Sequence, residues 1–435
     1  MENRTREIYK DDFADYLLCL SLDVGEGMLK NGADVGRVED TIERICFAYG
    51  AAHVEVFSIV SMIIAAIRMP DGTYSSQLRR VRQTGNNLNM LEQLNALSRK
   101  ICRETPPLDE FDAKLHELKR QKMYPNIFGI LASAVGTAAF CLLFGGGIIE
   151  AAITFLVGAA ISALNQYAPK RLNAMARTVI GAFVASALAA VASMIISGLN
   201  VDSIIIGAIM LLVPGLLFGT AMRDLLTGDL LAGMMKTLHA FLQTLMIGFG
   251  YMLLYAILGE RINAHAIANA DPNVLLQFVG AVVATLAFGI AFKVNKRHLL
   301  SVTVCGTLTF AVYFAIEMLL GGSLFWAAFA SSVFAALFSE IVARTYKTPS
   351  IVILTPGIIS IVPGGFLYRT VRDFVQGAHE SGFEQLTSGA MIALGIAGGV
   401  VAVSVIFGII TDHHKSKSGK IHKNVNEYRQ KASKH

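Results

Sequence analysis

Between about Pro125 and Ile410 this chain almost stops using charge. Of its 37 Lys and Arg residues, 17 fall in residues 1–123 and seven lie after Asp412, which leaves thirteen for everything between. That stretch breaks into apolar runs near the roughly 20 residues that a helix needs to cross a bilayer. Ten such runs can be counted, at about 126–146, 148–166, 174–197, 201–221, 237–259, 273–293, 298–320, 324–343, 350–368 and 386–411. In lipid a backbone must satisfy its own polar groups, so runs of this length predict spanning helices. The whole chain is 54% hydrophobic, with a mean hydropathy of +0.54, too apolar for an ordinary soluble protein.

The cations that remain set an orientation. With a cytoplasmic N-terminus, the cytoplasmic loops hold Lys170, Arg171, Arg177, Arg223, Lys236, Lys293, Lys296, Arg297, Arg344 and Lys347, and the tail beyond Asp412 adds seven more. The outer loops hold Arg261, Arg369 and Arg372, a split of 17 against 3. That bias predicts cytoplasmic N- and C-termini. It also accounts for the net charge of +5 without a nucleic-acid partner. The opening MENRTREIYKDDF is too charged for a signal peptide, so residues 1–123 are expected to stay in the cytoplasm.

Those residues predict an α+β soluble domain, large enough for its own core. Residues 12–30 and 34–49 read as amphipathic helices, ended by Asn31-Gly32 and Gly50. Residues 53–68 are apolar and β-branched, Pro70-Asp71-Gly72 is a turn, and 73–82 reads as a strand. Helices at about 87–103 and 107–122 follow, giving three strands covered by four helices. The basic cluster Arg79, Arg80 and Arg82 reads as a solvated strand face, with an anion or lipid contact as the alternative. GxSxG, HExxH and Walker motifs are absent from the sequence, so nothing specific points to an enzyme, a metal or a cofactor. Cys19, Cys46, Cys102, Cys141 and Cys305 include no CxxC pair and predict reduced, mostly buried thiols.

The apolar region is duplicated. Val213-Pro214-Gly215, then Arg223-Asp224 and Gly228, recurs 149 positions later as Val362-Pro363-Gly364, then Arg372-Asp373 and Gly377. Six of sixteen aligned positions are identical, where chance at this composition gives about one. The duplication predicts two five-helix repeats, 124–270 and 271–411, followed by a basic tail at 412–435. An odd number of spans per repeat inverts the second copy, so Arg223-Asp224 should lie at the cytoplasmic face and Arg372-Asp373 at the outer face.

A duplicated span interrupted by Pro-Gly in each half points to a transporter's binding site. A proline displaces the carbonyl four residues before it. Pro214 should free Met210, Pro356 should free Val352, and Pro363 should free Ile359. Together with Gly215, Thr355, Gly357 and Gly364 these residues form the predicted substrate site. Freed carbonyls suit a cation and a half-helix N-terminus suits an anion, a pairing that fits a zwitterionic amino acid. Ionisable groups in or near spans are candidates for gating and proton coupling: Arg223, Asp224, His239, Glu340, Arg372 and Asp373. For His239 the competing reading is an interfacial anchor, and for Glu340 a pair with Arg344 one turn on.

The chain resembles the bacterial threonine/serine exporters. The stretches MLKNGADVGRVEDTIERICFAYG, VRQTGNNLNMLEQLNAL and LLVPGLLFGTAMRDLLTGDLLAGMMKTLHAFL are similar to that family's N-terminal half. TPSIVILTPGIISIVPGGFLYRTV is similar to its C-terminal half, and together these cover about residues 13–411. The resemblance implies a multi-pass protein of the bacterial plasma membrane that exports small polar metabolites, driven by the proton motive force. Its partners would be a small-molecule substrate and the bilayer, with a homo-oligomer left open. In some bacteria the two halves are separate subunits associated with dicarboxylate export, so a dicarboxylate substrate stays open beside threonine and serine. A third alternative, from another class, is a membrane-tethered enzyme or sensor that acts through the soluble domain.

Overall fold

The computed structural model describes residues 12–82, 85–120, 126–169, 172–213, 217, 220–221, 224–225, 228–259 and 273–432. Side chains are described within these ranges, except Asn126 and those beyond Ile409.

The N-terminal body forms around one helix. Helix α1 (Phe13–Lys30) is N-capped by Asp12, whose carboxylate accepts the Ala14 N–H at 2.8 Å. Leu17, Leu18, Leu20, Leu22, Val24 and Met28 on it are fully buried. A helix that is apolar all round needs cover on every side. Helices α2 (Val35–Ala48), α3 (Leu88–Glu104) and α4 (Leu108–Arg120) and a sheet provide it. The 53–68 run folds into two strands, β1 (His53–Ile59) and β2 (Met62–Arg68), joined at Val60-Ser61. With β3 (Tyr74–Arg80) they form an antiparallel sheet in the order β1-β2-β3.

The strand alternation corrects one expectation. Arg79 does not share a solvated face with Arg80. Ser75, Gln77 and Arg79 point inward from β3, and the Arg79 Nε lies 3.4 Å from Asp23 of α1. Lys119 reaches the other oxygen of Asp23 at 3.5 Å. Gln77 donates to the Asp15 carbonyl at 2.8 Å.

Beyond Arg120, seven helices among the described residues are long and apolar enough to cross a membrane. They are α6 (Ile148–Tyr167), α7 (Ala174–Ile195), α9 (Leu230–Leu258), α10 (Val274–Ala291), α11 (Lys296–Leu319), α12 (Leu324–Tyr346) and the first part of α15 (His379–Ala432). One further helix pair is apolar and long enough only when taken together and is bent: α13 (Ile351–Gly357) and a 3-10 turn (Ile359–Ile361) meet α14 (Gly364–Val375) at 44°, the geometry of a broken span or a re-entrant loop. Two other predicted spans coincide with shorter helices, α5 (Asn126–Leu143) and α8 (Val201–Ile209), and residues 214–216 and 218–219 of the second lie outside the described residues. The predicted start of the last span moves back from residue 386 to His379.

Contacts recur between the two halves. α5 packs on α6 as α10 packs on α11, α7 packs on α9 as α12 packs on α15, and α8 touches α5, α6 and α7 as α13 touches α10, α11 and α12. The recurrence reaches single atoms. A Cβ on Gly250 of α9 would meet the Val179 carbonyl at 2.5 Å and the Phe183 amide at 2.9 Å. A Cβ on Gly399 of α15, 149 positions on, would meet the Phe329 carbonyl at 2.6 Å and the Val333 amide at 3.0 Å. At both positions a side chain would push two helices apart. The halves join where α5 packs against α10.

Candidate functional site

The helical interruptions of both halves border one apolar cluster. α8 ends at Ile209, where the Leu212 and Val213 amides turn back onto the Ile209 carbonyl at 2.7 and 3.0 Å. The Leu212 carbonyl is taken by the side-chain amide of Gln243, from α9, at 2.7 Å. Sequence reasoning assigned the freed carbonyl to Met210. It gave no signal that Gln243 reaches the break.

In the second half, Pro356 lies inside α13 and Pro363 separates the 3-10 turn from α14. Val352, Thr355, Pro356, Gly357, Ile359, Pro363 and Gly364 are all buried. The Ile359 carbonyl is not left free, because the Val362 N–H donates to it at 3.4 Å. The turn reaches α11 through Ser360, whose hydroxyl lies 3.5 Å from the Gly306 carbonyl.

The two interruptions touch. A Cβ on Gly364 would meet the Met210 sulfur at 2.5 Å and Val213 at 3.2 Å. A side chain at 364 would have to displace the Met210 thioether and crowd Val213, so the glycine favours this close approach. Met210 and Ile359 share one apolar cluster with Phe140 of α5 and Phe288 of α10, so residues of both halves converge there. Pro214, Gly215 and Arg223 lie outside the described residues.

The ionisable candidates separate into two sets. Asp224 is buried and receives Lys236 of α9 at 2.5 Å. Asp373 is buried too, and its Oδ1 takes the Arg372 guanidinium at 2.7 Å, while Ser381 donates to its Oδ2 at 2.7 Å. Arg372 also grips Asp202, at the start of α8 in the other half. Lys236 and Asp202 were missed by sequence reasoning, although both are charges beside apolar runs. His239 is exposed on α9 and joins neither set. Glu340 sits 4.0 Å from Arg344 one turn on, the helical pair that its spacing allows.

The sides on which these sets lie follow from the N-terminal body. Gly36 of α2 is next to Asp229, β1 contacts α9, and Asp224 is close enough to feel the charge of Asp34. The end of the first interrupted segment therefore faces that body. The start of the second faces it as well, since α13 contacts α3 and Arg99 of α3 donates to the Lys347 carbonyl at 2.8 Å.

Comparison with known proteins divides the chain at the same place. Residues 20–258 match the profile of a family described as "Putative threonine/serine exporter", and residues 277–406 match "Threonine/Serine exporter, ThrE". The first match ends with α9 and the second begins within α10. A protein of Corynebacterium glutamicum named "Threonine/serine exporter" is 24% identical over 407 residues, covering 88% of this chain and 80% of its own. One from Mycobacterium tuberculosis, "Probable threonine/serine exporter", is 23% identical over 402 residues, covering 88% and 75%. The "Probable succinate transporter subunit YjjP" of Escherichia coli is 26% identical over 245 residues, 56% of this chain and 94% of that one. No solved structure matches.

Proposed function

The chain belongs to the threonine/serine exporter family, and on that premise we propose that it exports small polar metabolites, threonine and serine foremost, across a bacterial plasma membrane. It acts as a secondary transporter driven by the proton motive force, not as an enzyme. Ten spans form two inverted five-helix repeats, 124–270 and 271–411. A cytoplasmic α+β domain at 1–123 precedes them and a basic cytoplasmic tail at 412–435 follows.

The observation that carries this reading is the meeting of the two interruptions at Met210 and Gly364. Bare backbone in a membrane is tolerated where it is buried in protein or lines a water-filled cavity. In the packed state described above the interruptions are buried against each other, so a solute enters when they part. α14 then offers its N-terminal N–H groups to a carboxylate. Carbonyls near Met210 and Val352 offer partners to an ammonium group. A zwitterionic amino acid matches both.

Inversion is supported by the end of one interrupted segment and the start of the other both facing the N-terminal body. Each half then keeps one buried aspartate near its break, Asp224 on the cytoplasmic side and Asp373 on the outer side. These are the candidates for gating and proton coupling, with Lys236, Arg372 and Asp202 as their partners. The likeness of residues in the first half to a subunit named for succinate keeps a dicarboxylate as the second reading.

Reconstituted vesicles under an imposed proton gradient test both readings. Gradient-driven movement of threonine and serine over succinate is expected. Movement of succinate alone selects the second reading, and movement of none of the three overturns the proposal.

A further inference from the structure

The junction between the N-terminal body and the membrane helices holds a cavity of about 390 Å³ that the transport reading does not use. Its walls come from both regions: Glu92, Gln93 and Arg99 from α3, and Asn295, Arg297 and Lys347 from the ends of α11 and α12. Around it the two regions are bonded directly. The Leu88 and Asn89 amides donate to the Phe292 and Lys293 carbonyls at 3.0 and 3.2 Å, and Asn295 donates to Asn89 at 3.3 Å.

The charges do not balance. Glu92 is the one acid in the lining, and it is already engaged, accepting from Arg297 and lying 3.1 Å from the His298 Nε2. Neither Arg99 nor Lys347 makes an ion pair among the described residues, and the only acid whose charge Arg99 feels is Glu92, across the cavity. The Arg99 guanidinium is anchored by a single bond to the Lys347 carbonyl, which leaves further N–H groups for another acceptor.

We propose that this cavity binds a phosphate-bearing anion that bridges Arg99 of the N-terminal body to Lys347 and Arg297 of the membrane helices. Two cations outside any ion pair among the described residues and a third held on one side only supply more donors than one carboxylate accepts. A phosphate with its several oxygens matches them. The volume leaves room for a group attached to the phosphate. Two sources share this chemistry. The cavity lies at the ends of two spanning helices beside Tyr346, at the level where anionic headgroups meet basic pockets. A soluble phosphate ester would use the same donors. In either case binding ties the two regions together.

The test uses the full chain. In vesicles, phosphatidylglycerol is compared with phosphatidylcholine. In detergent after delipidation, glycerol 3-phosphate is added. The readouts are the unfolding midpoint and hydrogen exchange at the Leu88 and Asn89 amides. One of the two probes should raise the midpoint by about 2–4 °C and slow that exchange. A response to phosphatidylglycerol alone identifies a lipid headgroup, and an equal response to glycerol 3-phosphate identifies a soluble anion. Arg99→Gln combined with Lys347→Asn should remove the shift, while Arg99→Lys keeps it. Asparagine is chosen because residue 347 is left-handed, with φ 54°. No shift in the unmodified chain with either probe overturns the proposal, whatever the variants do. So does a shift that the double variant keeps in full.

Discussion

The two interrupted segments are built alike and locked differently. On the side facing the N-terminal body, Asp224 accepts Lys236 from the next helix of the same half. On the other side, Arg372 of the second half reaches across to Asp202 of the first. The first lock holds a half together. The second holds the two halves to each other. In a carrier that works by parting its halves, only the second has to break in every cycle. It is also the wetter of the two, with Arg372 and Asp202 side chains 20% and 24% exposed against 6% and 2% for Lys236 and Asp224. Water that can replace a broken bond makes a reversible contact, and a dry pair makes a permanent one.

That difference is breakable by mutation. The largest effect is expected at the dry pair. Lys236→Ala strands Asp224 in the interior and should cost about 3–5 kcal/mol. The midpoint of thermal unfolding in detergent reads this, and adding Asp224→Asn should recover most of the loss. A loss no larger than at Arg372 would erase the contrast between the locks.

Next come the breaks. Proline disfavours a helix interior by about 3 kcal/mol, so Pro214→Ala or Pro363→Ala biases its segment towards a continuous helix by roughly a hundredfold. Export in vesicles should fall steeply at normal expression. Unchanged export in both variants would make the breaks structural and move the solute site elsewhere.

A smaller effect is expected at the wet pair. Asp202→Asn removes one charged hydrogen-bond partner, worth about 1–2 kcal/mol in a partly exposed setting. Folding should survive, and a thiol introduced at the break by Ser360→Cys should react faster with a reagent added from the side of Asp202. An unchanged rate would mean that this contact does not gate access.

The smallest effect is a pH response at the junction with the N-terminal body. Burial pushes the Glu92 carboxyl up, but hydrogen bonds and charge from His298 and Arg297 outweigh it and hold it below its ordinary value of 4.5. A depressed carboxyl contributes stability above its unfolded value and loses it as pH falls through the folded one. Protection of the Leu88 and Asn89 amides, taken relative to their intrinsic exchange rate, should therefore fall below about pH 4.5, and Glu92→Gln should flatten that response.

Much of this was legible in the sequence, and the reason differs by region. Helices such as α6, α7 and α12 declare themselves because lipid demands a long uninterrupted apolar run. The caps at Asp12 and Asp34 and the turns around Gly32 and Gly50 fix α1 and α2 to within a residue or two. The duplication was visible through Pro-Gly and Arg-Asp. Its most exact structural trace, Gly250 and Gly399 against matched backbone atoms, involves residues too common to notice.

Partners were harder to read. Arg372 with Asp373 is a local pair that adjacency suggests. Arg372 with Asp202 spans 170 positions, and Gln243 on the Leu212 carbonyl is set by how two helices cross. Arg79 was misread because a one-residue alternation decides whether a strand's cation faces water or Asp23. No periodicity in a single chain encodes those meetings.

The central claim is that the two halves are inverted, and the sides of matched positions test it most directly. Leu230 and His379 are 149 positions apart, each opens the helix that follows an interrupted segment, and both are exposed. Leu230→Cys and His379→Cys can be probed in intact cells with a membrane-impermeant thiol reagent. Inverted repeats predict rapid labelling at 379 and none at 230 until the membrane is opened. Labelling of both from the same side would contradict the account.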